Sequence, residues 1–247
     1  MRVTTVGVGP AEARLTAYIQ DVSSVVRNST ARPAVLILPG GGYQTTSDRE
    51  AEPIALAFLS EGYNAFLLRY RADVESTFGQ ALTDAEAAMR YLQENAESLA
   101  IDASRIITCG FSAGGHLASA LGTISNDKPA AQILLYPVIL SAFGERMRTV
   151  IPSTNDAVTA DTPPTFLAAT RSDHVVPISH TLAFANALDD AGVPFELHVY
   201  GTGPHGLSLG KTCTAAGSRT FVDVPWQAWF GQATTFLKHH IGEFDVA

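Results

Sequence analysis

Short apolar runs alternate with amphipathic helical patterns along most of the chain. The run PAVLILP, from Pro33 to Pro39, is apolar throughout and bounded by proline and glycine. Such a run is typical of a strand buried on both faces of a sheet. The segment that follows, Asp48 to Gly62, has its apolar residues at helical spacing and ends at glycine. This alternation predicts an α/β fold with a mostly parallel central sheet and helices on both faces.

The same alternation continues towards the C-terminus. Further buried strands are predicted at YNAFLLRY, SRIITCG, AQILLYP, PPTFLAAT and PFELHVY, and a long amphipathic helix from Phe78 to Leu99. The residues before Ala31 are predicted to form extended hairpin strands, at RVTTVGV and ARLTAYIQDV. No internal repeat or long linker divides the chain, and 247 residues fall within the range of one α/β domain. We therefore expect residues 1–247 to form a single domain.

Composition and charge exclude several classes of partner. The net charge is −8, with no run of lysine or arginine, so neither a nucleic acid nor an anionic membrane is expected to bind. No stretch approaches 18 uninterrupted apolar residues, so no transmembrane helix is expected. The N-terminal residues lack the continuous apolar core of a signal peptide, which favours a cytoplasmic protein. The two cysteines, Cys109 and Cys213, are too few for a disulfide framework and are interpreted as free thiols.

The stretch GFSAGG places one serine, Ser112, between a predicted strand and a predicted helix. A nucleophilic serine on a sharp strand-to-helix turn needs very small residues two positions to either side, because the two backbones pass close together there. Gly110 and Gly114 meet this requirement. The alternative is an ordinary turn between a strand and a helix, since the pattern G-x-S-x-G also arises by chance.

Two residues are suitable partners for this serine. A serine nucleophile needs a base that takes its proton and a carboxylate that orients the base. Asp173 comes just after the strand PPTFLAAT, and His205 just after the next strand, PFELHVY. Because the carboxyl ends of parallel strands share one edge of the sheet, both are expected near Ser112.

The other histidines and the preceding aspartates are weaker candidates. His116 lies one helical turn after Ser112 and is expected to be a buried polar residue, while His198 lies inside a strand. The remaining candidates lie in a helix, beside the candidate acid, or in loops before a strand: His174, His180, His239, His240, Asp156 and Asp161.

The loop LPGGGYQ supplies candidate donors for an oxyanion. Glycines at 40, 41 and 42 let backbone N–H groups approach a substrate, and the N–H of Ala113 follows the serine. A phosphate cradle is the competing interpretation, but neither G-K-[ST] nor a helix-opening G-x-G-x-x-G is present. No cluster of histidine, cysteine and acidic residues has metal-ligand spacing, so no metal and no cofactor is expected.

Together these segments resemble the α/β-hydrolase superfamily, and more narrowly the small carbohydrate-esterase-like hydrolases related to bacterial acetyl-xylan and feruloyl esterases. The similar segments are RPAVLILPGGGYQTTSDREAEPIALAFLSEGYNAFLLRYR, DASRIITCGFSAGGHLASALG and TPPTFLAATRSDHVVPISHTLAFANALDDAGVPFELHVYGTGPHGLSLG. The resemblance implies a nucleophile, acid and base at Ser112, Asp173 and His205, and oxyanion donors at Gly41, Gly42 and Ala113.

The resemblance implies a serine esterase that removes short, acetyl-type acyl groups from sugars, small oligosaccharides or other small esters. Two alternatives are a peptidase or amidase on the same scaffold and a non-catalytic binding protein. The loop has proline where the hormone-sensitive-lipase branch has histidine before three glycines, so that branch's substrates are not transferred. The stretch from Pro137 to Asp161 offers at most one short helix, so little or no lid is expected. The oligomeric state is left open.

Overall fold

A computed structural model gives the fold and describes residues 1–25 and 30–244. These residues contain one eight-stranded sheet, and its strands β1 to β8 are numbered in chain order. The strands are Arg2–Val8, Ala13–Ile19, Arg32–Leu38, Asn64–Arg69, Ile101–Phe111, Gln132–Leu135, Thr165–Thr170 and Phe195–Tyr200. Six helices, α1 to α6, are Glu52–Ser60, Phe78–Glu94, Ala113–Thr123, Gly144–Met147, Ser179–Asp190 and Ala228–Ile241.

The sheet is mostly parallel, as the alternation of elements predicts. Its order is β1-β2-β4-β3-β5-β6-β7-β8. Strands β1 and β2 form the predicted antiparallel hairpin, and β2 pairs antiparallel with β4. From β4 to β8 all neighbours are parallel. Residues 26–29 of the predicted hairpin region lie outside the described residues.

Helices cover both faces of the sheet and divide the core into two clusters. On one face, residues of α2, α3 and α5 pack against apolar side chains of the strands, including Leu36 and Leu134. On the other face, residues of α1 and α6 pack against the strand residues that point the opposite way, including Ile37 and Ile133. The fully apolar strand pattern is explained by this arrangement, because both faces of the central strands are buried.

Helix α2 begins at its predicted residue and ends earlier than predicted. Thr77 and Gln80 form a capping box, in which the Thr77 hydroxyl accepts from the Gln80 N–H and the Gln80 side chain accepts from the Thr77 N–H. At the other end, the Asn95 side-chain amide donates to the Tyr91 carbonyl at 2.9 Å. The Asn95 backbone N–H donates to the same carbonyl at 3.1 Å, but Asn95 itself leaves the helical conformation, with φ −110° and ψ 16°, so the helix ends at Glu94 and not at Leu99.

The stretch between β6 and β7 contains only short helical pieces, as expected. They are the four-residue α4 and the 3₁₀ turns Ser141–Phe143 and Thr154–Ala157. In the described residues, no helix has the length and apolar character that a membrane span requires. Cys109 is buried, Cys213 is exposed, and both are free thiols.

Candidate active site

Ser112 lies between the end of β5 and the start of α3, in a strained backbone conformation. Its φ is 53° and its ψ is −116°. A non-glycine residue in such a region costs about 1–3 kcal/mol and persists only where its surroundings hold it. Here the Ser112 N–H donates to the Leu135 carbonyl, and the Ser112 carbonyl accepts from His116 and Val138, each at 3.0 Å. These contacts fix the serine at the carboxyl edge of the sheet.

The glycines on either side of Ser112 are required by close backbone approach. A Cβ atom at Gly114 would lie 2.0 Å from the Leu38 carbonyl oxygen, and one at Gly110 would lie 2.3 Å from the Gly114 carbonyl oxygen. Neither contact can be relieved by a side-chain rotation, because the obstructing atoms belong to the backbone. The turn therefore has the close strand–helix contact that the sequence pattern predicts.

The structure brings Ser112, His205 and Asp173 into one hydrogen-bonded line. The Nε2 atom of His205 lies 2.8 Å from the Ser112 Oγ, and its Nδ1 lies 2.7 Å from the Asp173 Oδ2. The other carboxylate oxygen of Asp173 accepts from the N–H groups of Val175 and Val176, at 2.8 and 3.0 Å. Because a carboxylate oxygen accepts, Nδ1 carries the imidazole proton, and Nε2 is left to accept from the serine.

The proposed oxyanion residues lie beside this line. Gly41 and Gly42 line the same cavity as Ser112 and His205. Ala113 is the first residue of α3, where a backbone N–H has no partner within its own helix. Among the described residues, no acceptor is bound to the N–H of Gly41, Gly42 or Ala113. These three N–H groups are thus free to bind an oxygen atom of a ligand.

A cavity of about 390 Å³ opens above the serine. Its apolar walls come from Phe143, Met147, Val175 and Phe221, and its basic groups are Arg49 and Arg146. Each guanidinium lies over an aromatic ring. That of Arg49 is 3.9 Å from the centre of the Phe221 ring, and that of Arg146 is 5.4 Å from the centre of the Phe143 ring.

Two residues of the site were not found from the sequence, Glu50 and Tyr136. The Tyr136 ring packs edge-on against the His205 ring, with centres 5.0 Å apart, and its hydroxyl donates to Glu50 Oε1 at 2.6 Å. Burial and the negative charge of Glu50 raise the pKa of Tyr136, so the phenol stays neutral. Nothing in the segment DREAE distinguishes Glu50 from solvent-exposed acids, so its sequence pattern does not predict a role in the site.

The histidines set aside from the sequence lie elsewhere. His116 is buried, and its Nδ1 and Nε2 contact the Tyr43 hydroxyl at 2.8 Å and the Pro152 carbonyl at 3.0 Å. His180 accepts from two backbone N–H groups, and His198 of β8 stacks on Phe166 of the neighbouring strand β7. Burial lowers the pKa of both His116 and His180 to about 4.

Neither rejected aspartate lines the cavity. Asp156 lies in the 3₁₀ turn Thr154–Ala157, and Asp161 precedes β7. Within the described residues, no group of three histidine, cysteine or acidic side chains is arranged to hold a metal ion.

Comparison with known proteins identifies the class to which this chain belongs. An α/β hydrolase from a Medee basin deep-sea metagenome library superposes with a TM-score of 0.93, at 40% identity over 98% of this chain and 99% of that chain. The BD-FAE family model matches residues 20–137, and the prolyl oligopeptidase family model matches residues 142–221. The chain belongs to the esterase-like α/β hydrolases.

Particular relatives include enzymes named for xylan. The chain is 32% identical over 94% of its length to an acetyl ester-xyloside bifunctional hydrolase from Caldicellulosiruptor lactoaceticus, with a TM-score of 0.81 over 90% of that chain. It is 30% identical over 77% of its length to an acetylxylan esterase from Xylanibacter ruminicola, and 32% identical over 78% of its length to endo-1,4-beta-xylanase B from Butyrivibrio fibrisolvens. The chain spans only 44% and 35% of these two relatives, respectively.

Proposed function

We propose that this protein is a serine ester hydrolase that removes short acyl groups, acetyl above all, from sugars or small oligosaccharides. The observation that carries the proposal is the hydrogen-bonded line from Ser112 through His205 to Asp173. A strained, glycine-flanked serine with a base and an oriented carboxylate is the arrangement that nucleophilic acyl transfer requires.

The reaction proceeds in two halves. The Ser112 Oγ attacks the ester carbonyl carbon while His205 Nε2 takes the hydroxyl proton, and the carbonyl electrons move to the oxygen. The tetrahedral species collapses, the C–O bond to the alcohol breaks, and His205 returns the proton to that alcohol. Water then attacks the acyl-enzyme by the same route and releases the acid and the free serine. Asp173 keeps the imidazole oriented and stabilises its protonated form.

In this mechanism the oxyanion of each tetrahedral species accepts hydrogen bonds from the N–H groups of Gly41, Gly42 and Ala113. Donors fixed before the reaction stabilise developing charge without the reorganisation that water would need. Loss of one such donor costs about 3 kcal/mol of transition-state stabilisation.

The sugar part of the proposal is supported by the relatives' names and by the cavity. The rings of Phe143 and Phe221 line its walls, each with a guanidinium, that of Arg146 or of Arg49, over one face. Such a combination offers apolar contact to a sugar ring and hydrogen bonds to its hydroxyl groups. The stretch between β6 and β7 contributes only the four-residue α4 and two 3₁₀ turns, so it forms no large cover over the alcohol side.

A peptidase is the second candidate, because the prolyl oligopeptidase family model matches residues 142–221, which carry Asp173 and His205. The two candidates differ in the leaving group. Esters release an alcohol, whereas peptides release an amine that is a far poorer leaving group and needs protonation by the histidine as it departs.

The deciding experiment uses the purified protein, a fluorophosphonate probe and a substrate panel. The proposal predicts labelling of Ser112 that is lost in Ser112→Ala, and release of acetate from p-nitrophenyl acetate and acetylated xylo-oligosaccharides. Peptide p-nitroanilides should be cleaved far more slowly. Faster cleavage of the anilides than of the acetates would favour the peptidase, and an unlabelled, inactive protein would exclude both.

A further inference from the structure

Glu50 is a buried carboxylate that has no ion-pair partner among the described residues. It is 4% exposed. None of the salt bridges between described residues includes it. Both of its oxygens are instead used by neutral donors: Oε2 accepts from the Gly40 N–H at 2.8 Å, and Oε1 accepts from the Tyr136 hydroxyl at 2.6 Å. Keeping an acid here is costly, because a buried charge without a counterion is unfavourable.

On one side, Glu50 and its neighbours fix the loop that carries the oxyanion donors. Glu50 holds the Gly40 N–H, and the Ser47 N–H donates to the Gly40 carbonyl at 2.9 Å. That carbonyl shares a planar peptide group with the N–H of Gly41, which therefore points the opposite way. The segment from Ser47 to Glu50 thus sets the direction of the Gly41 donor.

On the other side, Glu50 connects to the loop of the base. The Tyr136 hydroxyl that donates to Glu50 also accepts from the N–H of Ser208 at 3.0 Å. Ser208 lies three residues after His205 in the same loop. The Ser208 hydroxyl donates to the carbonyl of Arg49, next to Glu50. Because the Tyr136 ring packs against the His205 ring, a shift of this phenol moves the surface on which the imidazole rests.

We propose that Glu50 is a positioning residue for the hydrolytic reaction, and that its single carboxylate fixes the oxyanion loop relative to His205. The inference rests on the proposed function, because it assigns Glu50 a role in that same site. Glu50 acts through Gly40 and Tyr136 and does not take part in proton transfer. Its contribution is made in the transition state, where the oxyanion and the protonated imidazole must be held at the same time.

Glu50→Gln is the most direct test. The amide oxygen can accept from Gly40, but the NH₂ group then faces the Tyr136 hydroxyl, whose own proton loses its acceptor. We expect kcat on p-nitrophenyl acetate to fall ~100-fold, the loss that a displacement of about 1 Å produces, while KM stays within about threefold. Binding of an aryl trifluoromethyl ketone, which forms a tetrahedral adduct with the serine, should weaken by the same factor as kcat/KM.

Ser119→Ala is a control matched for the loss of a buried hydrogen-bonding side chain. The Ser119 hydroxyl contacts the His116 carbonyl and the Thr154 hydroxyl, at 2.8 and 2.9 Å. The Ser119→Ala substitution should lower the thermal unfolding midpoint and leave kcat unchanged. A midpoint for Glu50→Gln similar to that of Ser119→Ala, together with the kcat loss, separates positioning from general destabilisation.

Tyr136→Phe tests the contact between Glu50 and Tyr136, and it keeps the inference falsifiable if Glu50→Gln does not fold. It preserves the ring against His205 and removes only the hydroxyl, so kcat should fall ~10-fold with little change in KM. Wild-type kcat and inhibitor binding in a folded Glu50→Gln protein, or wild-type kcat in Tyr136→Phe, would overturn the inference. Failure of the proposed function is a different result, namely a wild-type protein without Ser112-dependent esterase activity.

Discussion

The Nδ1 atom of His205 lies 2.7 Å from the Oδ2 atom of Asp173, although 32 positions separate the two residues. Their meeting follows from strand register, since β7 and β8 are parallel neighbours that end together with Thr170 opposite Tyr200. The end of β7 is also bonded directly to the loop that follows β8, because the Thr170 hydroxyl donates to the Gly203 carbonyl at 2.8 Å. The carboxylate and the imidazole thus leave the same edge of the sheet side by side.

Replacing the acid should impair the imidazole and not the fold. Asp173→Asn is expected to lower kcat on p-nitrophenyl acetate at least ~1,000-fold, because the amide favours the wrong imidazole tautomer. Asp161→Asn is the control, since Asp161 is exposed outside the cavity, and it should change kcat less than about twofold. Steady-state kinetics of both variants check the assignment. A large loss of kcat in Asp161→Asn would indicate that Asp161, and not Asp173, is the acid of the triad.

Removing the nucleophile and the base should have overlapping effects. Ser112→Ala and His205→Ala are each expected to lower kcat by ~10⁴ to 10⁶-fold, and the double variant should be no worse than the poorer single one. The reason is that the two groups act in one proton transfer, so loss of either removes the covalent route. The measurement is a kinetic double-mutant cycle. Additive losses, or near-normal turnover in either variant, would contradict the triad.

Acyl length should be restricted by the absence of a long cover over the site. Each CH₂ group adds about 0.8 kcal/mol only where an apolar groove buries it, and the stretch from Pro137 to Asp161 supplies only the four-residue α4 and two 3₁₀ turns. We expect kcat/KM on p-nitrophenyl esters to peak at acetyl or propionyl and to fall at least ~tenfold by octanoyl. A rate that rises steadily to octanoyl would rule out both the short-acyl preference and the open site.

Two buried histidines should make stability decline in mild acid. His180 Nδ1 accepts from the N–H groups of Ile139 and Leu140, at 2.9 and 3.1 Å, and it cannot do so once protonated. Burial lowers the pKa of His116 and His180 to about 4 in the folded protein, whereas the unfolded value is about 6.5. Between these pH values the unfolded state binds more protons, so the free energy of unfolding falls as the pH falls.

The expected loss is roughly 2–3 kcal/mol per histidine between pH 7.5 and 4.5, superimposed on any change from carboxylates. Urea unfolding at several pH values measures it. His180→Gln and His116→Gln should each lower stability at pH 7.5 and make its dependence on pH shallower. A variant with the full wild-type pH dependence would show that the replaced histidine is not responsible.

Glycine at position 114 should be essential for folding, and glycine at 231 should not. Gly114→Ala places a Cβ atom 2.0 Å from a backbone oxygen, so it should cost more than about 3 kcal/mol or prevent folding. Gly231 lies in α6, where an added methyl group would meet no atom within 4 Å, and Gly231→Ala should stabilise by about 0.5–1 kcal/mol. Thermal unfolding compares the two, and equal midpoints would refute the close-packing argument.

Much of this architecture follows from local sequence patterns. Fully apolar runs between proline and glycine predict buried parallel strands, because only a sheet covered on both faces buries every side chain of a strand. The glycines around Ser112 predict the tight turn for an equally local reason, since the Cβ atoms of larger residues would clash with neighbouring backbone. Asp173 and His205 could be chosen for a topological reason, as each follows a strand whose carboxyl end reaches the same edge.

Other features were decided only by packing in three dimensions. His116 is four residues from Ser112 and yet contacts Tyr43 and Pro152, whereas His205 reaches the serine from far along the chain. Glu50 belongs to a charged segment typical of a solvated helix start, and only the approach of Gly40 and Tyr136 makes it a buried acceptor. Sequence by itself determined which residues stand at the edge of the sheet. Tertiary structure decided which polar groups there face one another, because hydrogen bonds depend on distances that no local pattern encodes.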